Sequence, residues 1–326
     1  VPYNKGGLFR KWYGNNDCVV YFKDFGKAIA QSCGSRFQNS AQYLIESISW
    51  SKISSGNIAF RYKPYGHVFD VAGCSIFGDH DRLMTLIGIV NSNVIQAILR
   101  ALAPTLNYEV GQISNLPILY VDEDIIKRLS LDNIALSEEE WDRYEESWNF
   151  KKHPLVTGNS KISDAFESFL ELSQKAFESM KNNEETINKH VAIAYGLDKE
   201  VSSEVEDKNV SIRIPNVVTS IKSLISYFIG CLMGRYSLNT SGIVYAGGKL
   251  GQDSFDDYVD EDGILPIYQF VGINDGLTKS ICDLVKKVYG ETYYRENLNY
   301  IADALGRRTD EGAEEAINRY LNDDFY

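Results

Sequence analysis

Residues 5–16, Lys5-Gly6-Gly7-Leu8-Phe9-Arg10-Lys11-Trp12-Tyr13-Gly14-Asn15-Asn16, carry the densest set of groups able to bind another molecule. The paired glycine lets a backbone approach a partner closely, because no β-carbon stands in the way. Lys5, Arg10 and Lys11 offer charge for phosphate, and the guanidinium fork also fits a guanine edge. Phe9, Trp12 and Tyr13 can stack on a base or fill a core. A glycine turn entering a strand, with ordinary surface cations, has the same residue types. The stretch alone leaves both readings open.

Bond-making chemistry is hard to assemble from the rest of the chain. The histidines (His67, His80, His153, His190) lie far apart, without HxxxH or HxxEH spacing, and there is no GxSxG, Walker or GxGxxG sequence. Gly247-Gly248-Lys249 lacks the Walker spacing, and the acids from Asp253 to Asp262 lack the calcium-loop order. Both are expected to be solvated loops. Asn115-Leu116-Pro117-Ile118 is similar in outline to the Asn-Pro-Pro-Tyr grip on a flipped base. It has Leu at the first proline and no terminal aromatic, so a turn is expected. Five scattered cysteines, odd in number and without CxxC spacing, fit reduced thiols in a cytoplasm better than disulfides or zinc.

Composition sets the frame for those groups. With 326 residues the chain has room for two domains, and 44% hydrophobic with 24% charged residues is ordinary for a globular protein. The longest apolar run, Leu224 to Met233, is too short to span a bilayer, so no membrane partner is expected. A polar Val1-Pro2-Tyr3-Asn4 start without Met suggests a piece of something longer. The net charge of −12 is uneven: residues 1–120 hold 11 Lys and Arg against 7 Asp and Glu, a net of +4, while residues 121–326 hold 22 against 38, a net of −16. A mildly basic front beside an acidic back can still bind a polyanion, since the local field matters more than the total.

The elements that position these residues follow from periodicity. Cys18–Phe22, Leu44–Ser51 and Ile58–Tyr62 read as strands, and Val68–Phe77 as one or two more. An apolar stripe through Leu83, Ile87, Val90, Val94, Ile98 and Leu102 predicts one helix ending at Pro104, then an extended stretch to Ile113. Asp122 to Pro154 reads as helical and acidic, with a capping-box spacing at Ser137–Glu140; Trp141 and Trp148 are expected to pack. A long amphipathic helix from Ile162 should stop at Gly196, and a buried one should run from Val217 to Leu238 with Gly230 and Gly234 as a close-packing pair. Three more are expected near 277–289, 295–305 and 311–321. The expected class is α+β: a mixed α/β domain over 1–120, a helical connector over 121–155 and a mainly helical domain over 156–326.

Several stretches in order resemble a known family. They are Lys5 to Asn16, Ser49-Trp50-Ser51, Phe69-Asp70 with Gly73 to Phe77, Asn91-Ser92, Pro104 to Ile113 running into Asn115 to Ile118, Asn183-Glu184-Glu185 with Ile187-Asn188, Tyr195-Gly196-Leu197, Leu224 to Tyr227 and Gly234 to Leu238. Together they resemble the target-recognition region of single-chain adenine-specific DNA methyltransferases, the restriction–modification type and the BREX phage-defence (PglX) type. The resemblance covers nearly the whole chain. It implies that methyl transfer from S-adenosylmethionine belongs to an upstream domain of the same polypeptide, with no cofactor held by this chain. The region itself would choose the adenine on double-stranded DNA, in the cytoplasm, with other defence-system proteins as further possible partners.

On that reading phosphate contacts come from Lys5, Lys11, Arg36, Lys52, Arg61 and Lys63. Arg10 and the Ser49–Lys52 stretch, including Ser49 and Ser51, are candidates for base readout, and Trp12 or Tyr13 for a wedge. The competing expectation is a docking module for defence proteins that reads no DNA.

Overall fold

A computed structural model describes residues 1–35, 37–54, 56–102, 107–119, 121–247, 256–260, 265 and 276–325. Among the described residues helix accounts for about 49% and strand for 7%, an α+β composition with a mainly helical part. The chain forms two compact units. One gathers Val1–Trp141, Glu146–Trp148 and Lys175–Arg213; the other gathers Asp142–Glu145, Asn149–Gln174 and Ile214–Tyr326.

The first unit is built on a three-stranded antiparallel sheet. Strand β2 (Ser47–Ser51) lies between β3 (Phe60–Lys63) and β5 (Gly73–Ile76), pairing Ser49 with Arg61 on one side and Ser75 on the other. A short parallel pair, β1 (Tyr3–Asn4) with β4 (Val68–Phe69), completes the strands described. The Ser-Ile-Ser-Trp-Ser alternation sends Ile48 and Trp50 to an apolar face with Phe60. Its serines face the other way, yet they too are buried. Their hydroxyls are satisfied there: Ser49 Oγ donates to the Cys74 carbonyl at 2.9 Å, and Ser51 Oγ to the Gly7 carbonyl at 2.8 Å. A strand of serine and apolar residues thus serves a sheet covered on both faces, the polar one by the N-terminal segment.

The apolar face meets helices α2 (His80–Val90) and α3 (Asn93–Leu102) through Leu83, Ile87, Val90, Val94, Ile95 and Leu99. The single helix predicted over this stretch is two, bent by 73°. Asn91 breaks it: its amide donates to the Phe60 carbonyl at 3.0 Å and its oxygen accepts from the Phe60 N–H at 2.9 Å. Ser92 Oγ turns back to the Ile89 carbonyl at 2.6 Å. Such side-chain bonds compete with the helix ladder. Helix α5 (Glu123–Trp141) packs on α2 at Gly88, where a β-carbon would come within 2.6 Å of Ser130 Oγ and Ile126 Cγ2.

Three other expectations for this unit are corrected. Cys18–Phe22 is no buried strand: Val19 makes one isolated bridge to Pro2 and is 57% exposed, Tyr21 69%. The segment passes instead through Asp24, Phe25 and Gly26 in left-handed geometry into the single turn α1 (Lys27–Ala30). The extended reading before Ile113 gives way to a short helix α4 (Val110–Ser114), because Glu109 and Gln112 form a capping box, with the Glu109 N–H donating to Gln112 Oε1 at 2.8 Å; residues 103–106 lie outside the described residues. Ser137 and Glu140 sit inside α5 rather than at its start.

Helix α6 (Ile162–Tyr195) is the long amphipathic helix predicted, ending at left-handed Gly196 with the Leu197 N–H bonded to the Ala192 carbonyl. Met180, Ile187 and Val191 are buried in the first unit and Phe166 and Phe169 in the second; Leu172 is largely exposed. In the second unit α7 (Val217–Leu232) is capped by Asn216, and α8 (Leu277–Tyr289), α9 (Tyr294–Ala304) and α10 (Ala313–Asp323) follow. Helix α7 stops short of Leu238. Gly234 is left-handed, and the Tyr236 ring folds over Gly230, whose absent β-carbon would meet it at 2.7 Å. Gly230 therefore receives a ring and not a second helix. Gly248, Lys249 and half of the acidic loop from Asp253 to Asp262 (253–255 and 261–262) lie outside the described residues. Among the described residues no single helix is long and apolar enough to cross a membrane.

Candidate functional site

The segment from Gly6 to Asn16 is a loop held in unusual geometry, with positive φ at Gly6, Gly7, Trp12, Gly14 and Asn15. It runs beside β3, the Trp12 N–H bonding to the Phe60 carbonyl at 2.9 Å and the Tyr62 N–H to the Trp12 carbonyl at 2.7 Å. The left-handed turn at Trp12 breaks strand-like alternation, so consecutive side chains are buried. Trp12 and Tyr13 are buried.

The cations go inward too. Arg10 Nη2 meets Glu140 of α5 at 2.5 Å and also donates to the Ser137 carbonyl, while its Nε donates to the Tyr13 carbonyl. Its guanidinium lies 5.0 Å from the Trp141 ring, and Arg213, also bonded to Glu140, lies 5.7 Å from that ring. Lys11 meets Glu184 of α6 at 2.6 Å, and the same carboxylate accepts from the Trp12 indole. Gly14 makes this possible, because a β-carbon there would lie 2.2 Å from Arg10 Nε.

Arg61 and Lys63, each 1% exposed, have no carboxylate at salt-bridge distance among the described residues. Arg61 donates to the Arg10 carbonyl at 3.2 Å and to Ser51 Oγ at 2.9 Å, and its Nε has no hydrogen-bond partner. Lys63 Nζ donates to the carbonyls of Gly14 and Asn15 and to Asn16 Oδ1. Burial, then the neighbouring Arg10, lowers the Arg61 guanidinium to about 10; burial, then Arg61, holds the Lys63 ammonium well below its ordinary value. The four cations are bolts that fix the loop to the sheet and to two helices.

The residues expected to touch a partner therefore divide. Arg10, Lys11, Trp12, Tyr13, Ser49, Ser51, Arg61 and Lys63 are buried with partners inside the unit. Lys5 is exposed, 5.7 Å from the Tyr3 ring, and Lys52 is half-buried, 3.1 Å from Glu109. Arg36 lies outside the described residues. Glu140 and Glu184 were not anticipated as cation partners. The signal was there for Glu184: it falls on the α6 stripe between buried Met180 and Ile187, where a carboxylate needs a buried cation.

A cavity of about 730 Å³ opens on the same unit, lined by Tyr3, Phe22, Tyr43, Lys52, Phe69 and Asp70 among others. Lys5 against Tyr3, and Lys23 and Lys27 flanking the wall residues Phe22 and Ile29, put exposed ammonium groups on the segments that form it. The wall itself carries Lys52, paired with Glu109, and a second carboxylate, Asp70, so the exposed lysines stand beside the cavity and not in it. What the aromatic wall can do chemically is stack a planar group.

No family model matches the chain. It is similar along its whole length to two curated proteins. One is the adenine-specific methyltransferase PglX of Lacticaseibacillus casei (strain Zhang), 37% identical over 342 residues; the other is the adenine-specific methyltransferase BrxX of Escherichia coli O9:H4 (strain HS), 29% identical over 358 residues. The chain spans 28% and 29% of the length of those relatives, so its likeness is to a part of an adenine-specific methyltransferase.

Proposed function

We propose that this chain is the DNA-recognition portion of an adenine-specific methyltransferase of the PglX and BrxX kind, a C-terminal region that chooses the duplex site while the remainder of the polypeptide binds S-adenosylmethionine and transfers the methyl group. The observation that carries the reading is the full-length similarity to about 28% of such an enzyme. The first unit adds a physical basis: exposed Lys5, Lys23 and Lys27 and half-buried Lys52 on the segments around one cavity.

In this reading the buried cations do not touch DNA. They hold the loop rigid, and rigidity matters because base contacts must be placed to a fraction of an ångström. Phosphate contacts set register on the duplex, and fewer groups reach base edges. Extruding an adenine costs a few kcal/mol of unstacking, so a clamp on the flanking duplex must offset it.

Titrating the chain with a duplex at several salt concentrations tests the reading. Four phosphates neutralised by Lys5, Lys23, Lys27 and Lys52 give a log–log slope of roughly −3.6, and each Lys→Gln change removes about one unit of slope. Lys5→Gln and Lys52→Gln weaken binding with little change in stability. Absence of binding, or binding that ignores salt, overturns the proposal.

A further inference from the structure

We infer that the cavity beside β1 and β4 receives one unpaired nucleobase of a DNA strand, an inference that rests on the duplex-recognition reading above. Its wall is a run of five rings. Phe22 and Phe37 lie parallel (2°) with centroids 6.0 Å apart, Tyr43 stands edge-on to both, Phe69 is 5.1 Å from Tyr43, and Phe77 is 5.6 Å from Phe69. These rings are only half-buried and stand outside the main core of the unit. Aromatic side chains that pack each other yet keep solvent-facing area form a stacking platform, and stacking tolerates any base.

Polar groups of the right kind stand at the same opening. The side-chain amides of Gln38, Asn39 and Gln42 line it, and among the described residues none of the three has a hydrogen-bond partner. An amide presents a donor and an acceptor side by side, the pattern that pairs with an adenine edge. Lys52, on the cavity wall, is paired at 3.1 Å with Glu109 of the same wall, so the wall itself offers rings and amides to a base, and charge for an attached phosphate is left to exposed Lys5, Lys23 and Lys27 on the adjoining segments. The volume falls in the range of small-molecule sites, roughly 300–1,000 Å³.

The backbone that carries this wall is held in costly geometry. Asp24, Phe25, Asn39 and Leu44 all have left-handed φ, between 51° and 68°. Leu44 is fixed there by bonds of its N–H to the His67 carbonyl and of its carbonyl from the Gly66 N–H. Asp70, which also lines the cavity, is occupied: it accepts from the Ala72 N–H at 2.8 Å and from Tyr3. Glu109, on the same wall, is engaged by Lys52, and the free amides and the rings are what remains to meet a ligand.

The test compares the 326-residue chain on three duplexes: fully matched, with one unpaired adenine, and with an abasic site opposite a gap in pairing. The unpaired base has no partner to lose, so the bulged duplex is expected to bind roughly tenfold tighter than the matched one. A 2-aminopurine at the unpaired position is expected to be quenched by the rings. Phe37→Leu removes the advantage and the quenching but leaves matched-duplex affinity unchanged. Exposed Gln38→Ala, which cannot disturb a core, narrows the preference among unpaired A, G, C and T. Equal affinity for all three duplexes, with salt-dependent binding intact, overturns the cavity inference and leaves duplex recognition standing. If no duplex binds, adenosine monophosphate is offered alone: saturation transfer from the ring protons, lost in Phe37→Leu, assigns the cavity to a free nucleotide and removes the duplex reading. No transfer removes both.

Discussion

Glu184 divides its carboxylate between consecutive residues of the loop: Oε2 accepts from Lys11 Nζ at 2.6 Å and Oε1 from the Trp12 indole Nε1 at 2.7 Å. One side chain of α6 thereby fixes inward a cation and a ring that the local sequence leaves free to face either way.

Its removal leaves Lys11 buried without a counter-charge. Glu184→Gln keeps an oxygen for the Trp12 indole and is expected to cost about 3–5 kcal/mol, the usual penalty for breaking a buried pair from one side. Lys11→Met combined with Glu184→Gln removes the stranded charge and should recover most of that loss. Urea unfolding of the two single variants and the double variant checks this. Additive losses in the cycle would show that the pair is not coupled.

Two glycines with the same sign of φ separate space from conformation. Gly14 has φ +118, and its β-carbon would lie 2.2 Å from Arg10 Nε and 2.8 Å from the Trp141 ring; Gly34 has φ +84 with nothing within 4 Å. Gly34→Ala should therefore cost about 1 kcal/mol for conformation alone. Gly14→Ala must also push Arg10 away from Glu140, and a loss of more than about 3 kcal/mol is expected. Equal thermal shifts in the two variants would sink the account of the Arg10 bolt.

These relationships also mark what could be read from the chain in advance. Helices α6, α8, α9 and α10 were legible because their apolar spacing is local, and Gly196 was legible as a stop because left-handed geometry favours glycine. Strands β2 and β3 were legible from β-branched and aromatic residues between turn signals. The cation framework was not. Arg10 and Lys11 are buried only because Glu140 and Glu184 lie 130 and 173 residues further along, and no local pattern in residues 5–16 contains those partners. The break at Asn91 has the same origin, since Phe60 supplies the competing hydrogen bonds from 31 residues away. Of the surface cations, Lys5 and Lys52 were anticipated; the cavity they flank was not, because its rings come from four separate segments between Tyr3 and Phe77.

His153 in the second unit gives a pH dependence with a definite sign. It is buried, its Nε2 is 2.9 Å from Ser223 Oγ, and its Nδ1 accepts from the Leu155 N–H at 3.2 Å. A ring nitrogen that accepts from a backbone N–H cannot take a proton without losing that bond, and burial pushes the imidazole down to about 3 from the ordinary 6.5. The unfolded chain takes up this proton below 6.5 and the folded chain does not until about 3. The stability contributed is therefore complete above pH 6.5 and is lost progressively as pH falls toward 3. At pH 5 the loss from this residue should be about 2 kcal/mol relative to pH 8. His153→Gln, which cannot titrate, should flatten the difference between unfolding free energies at pH 8 and pH 5 by that amount. A His153→Gln profile as steep as the parent's would mean that other groups carry the acid sensitivity.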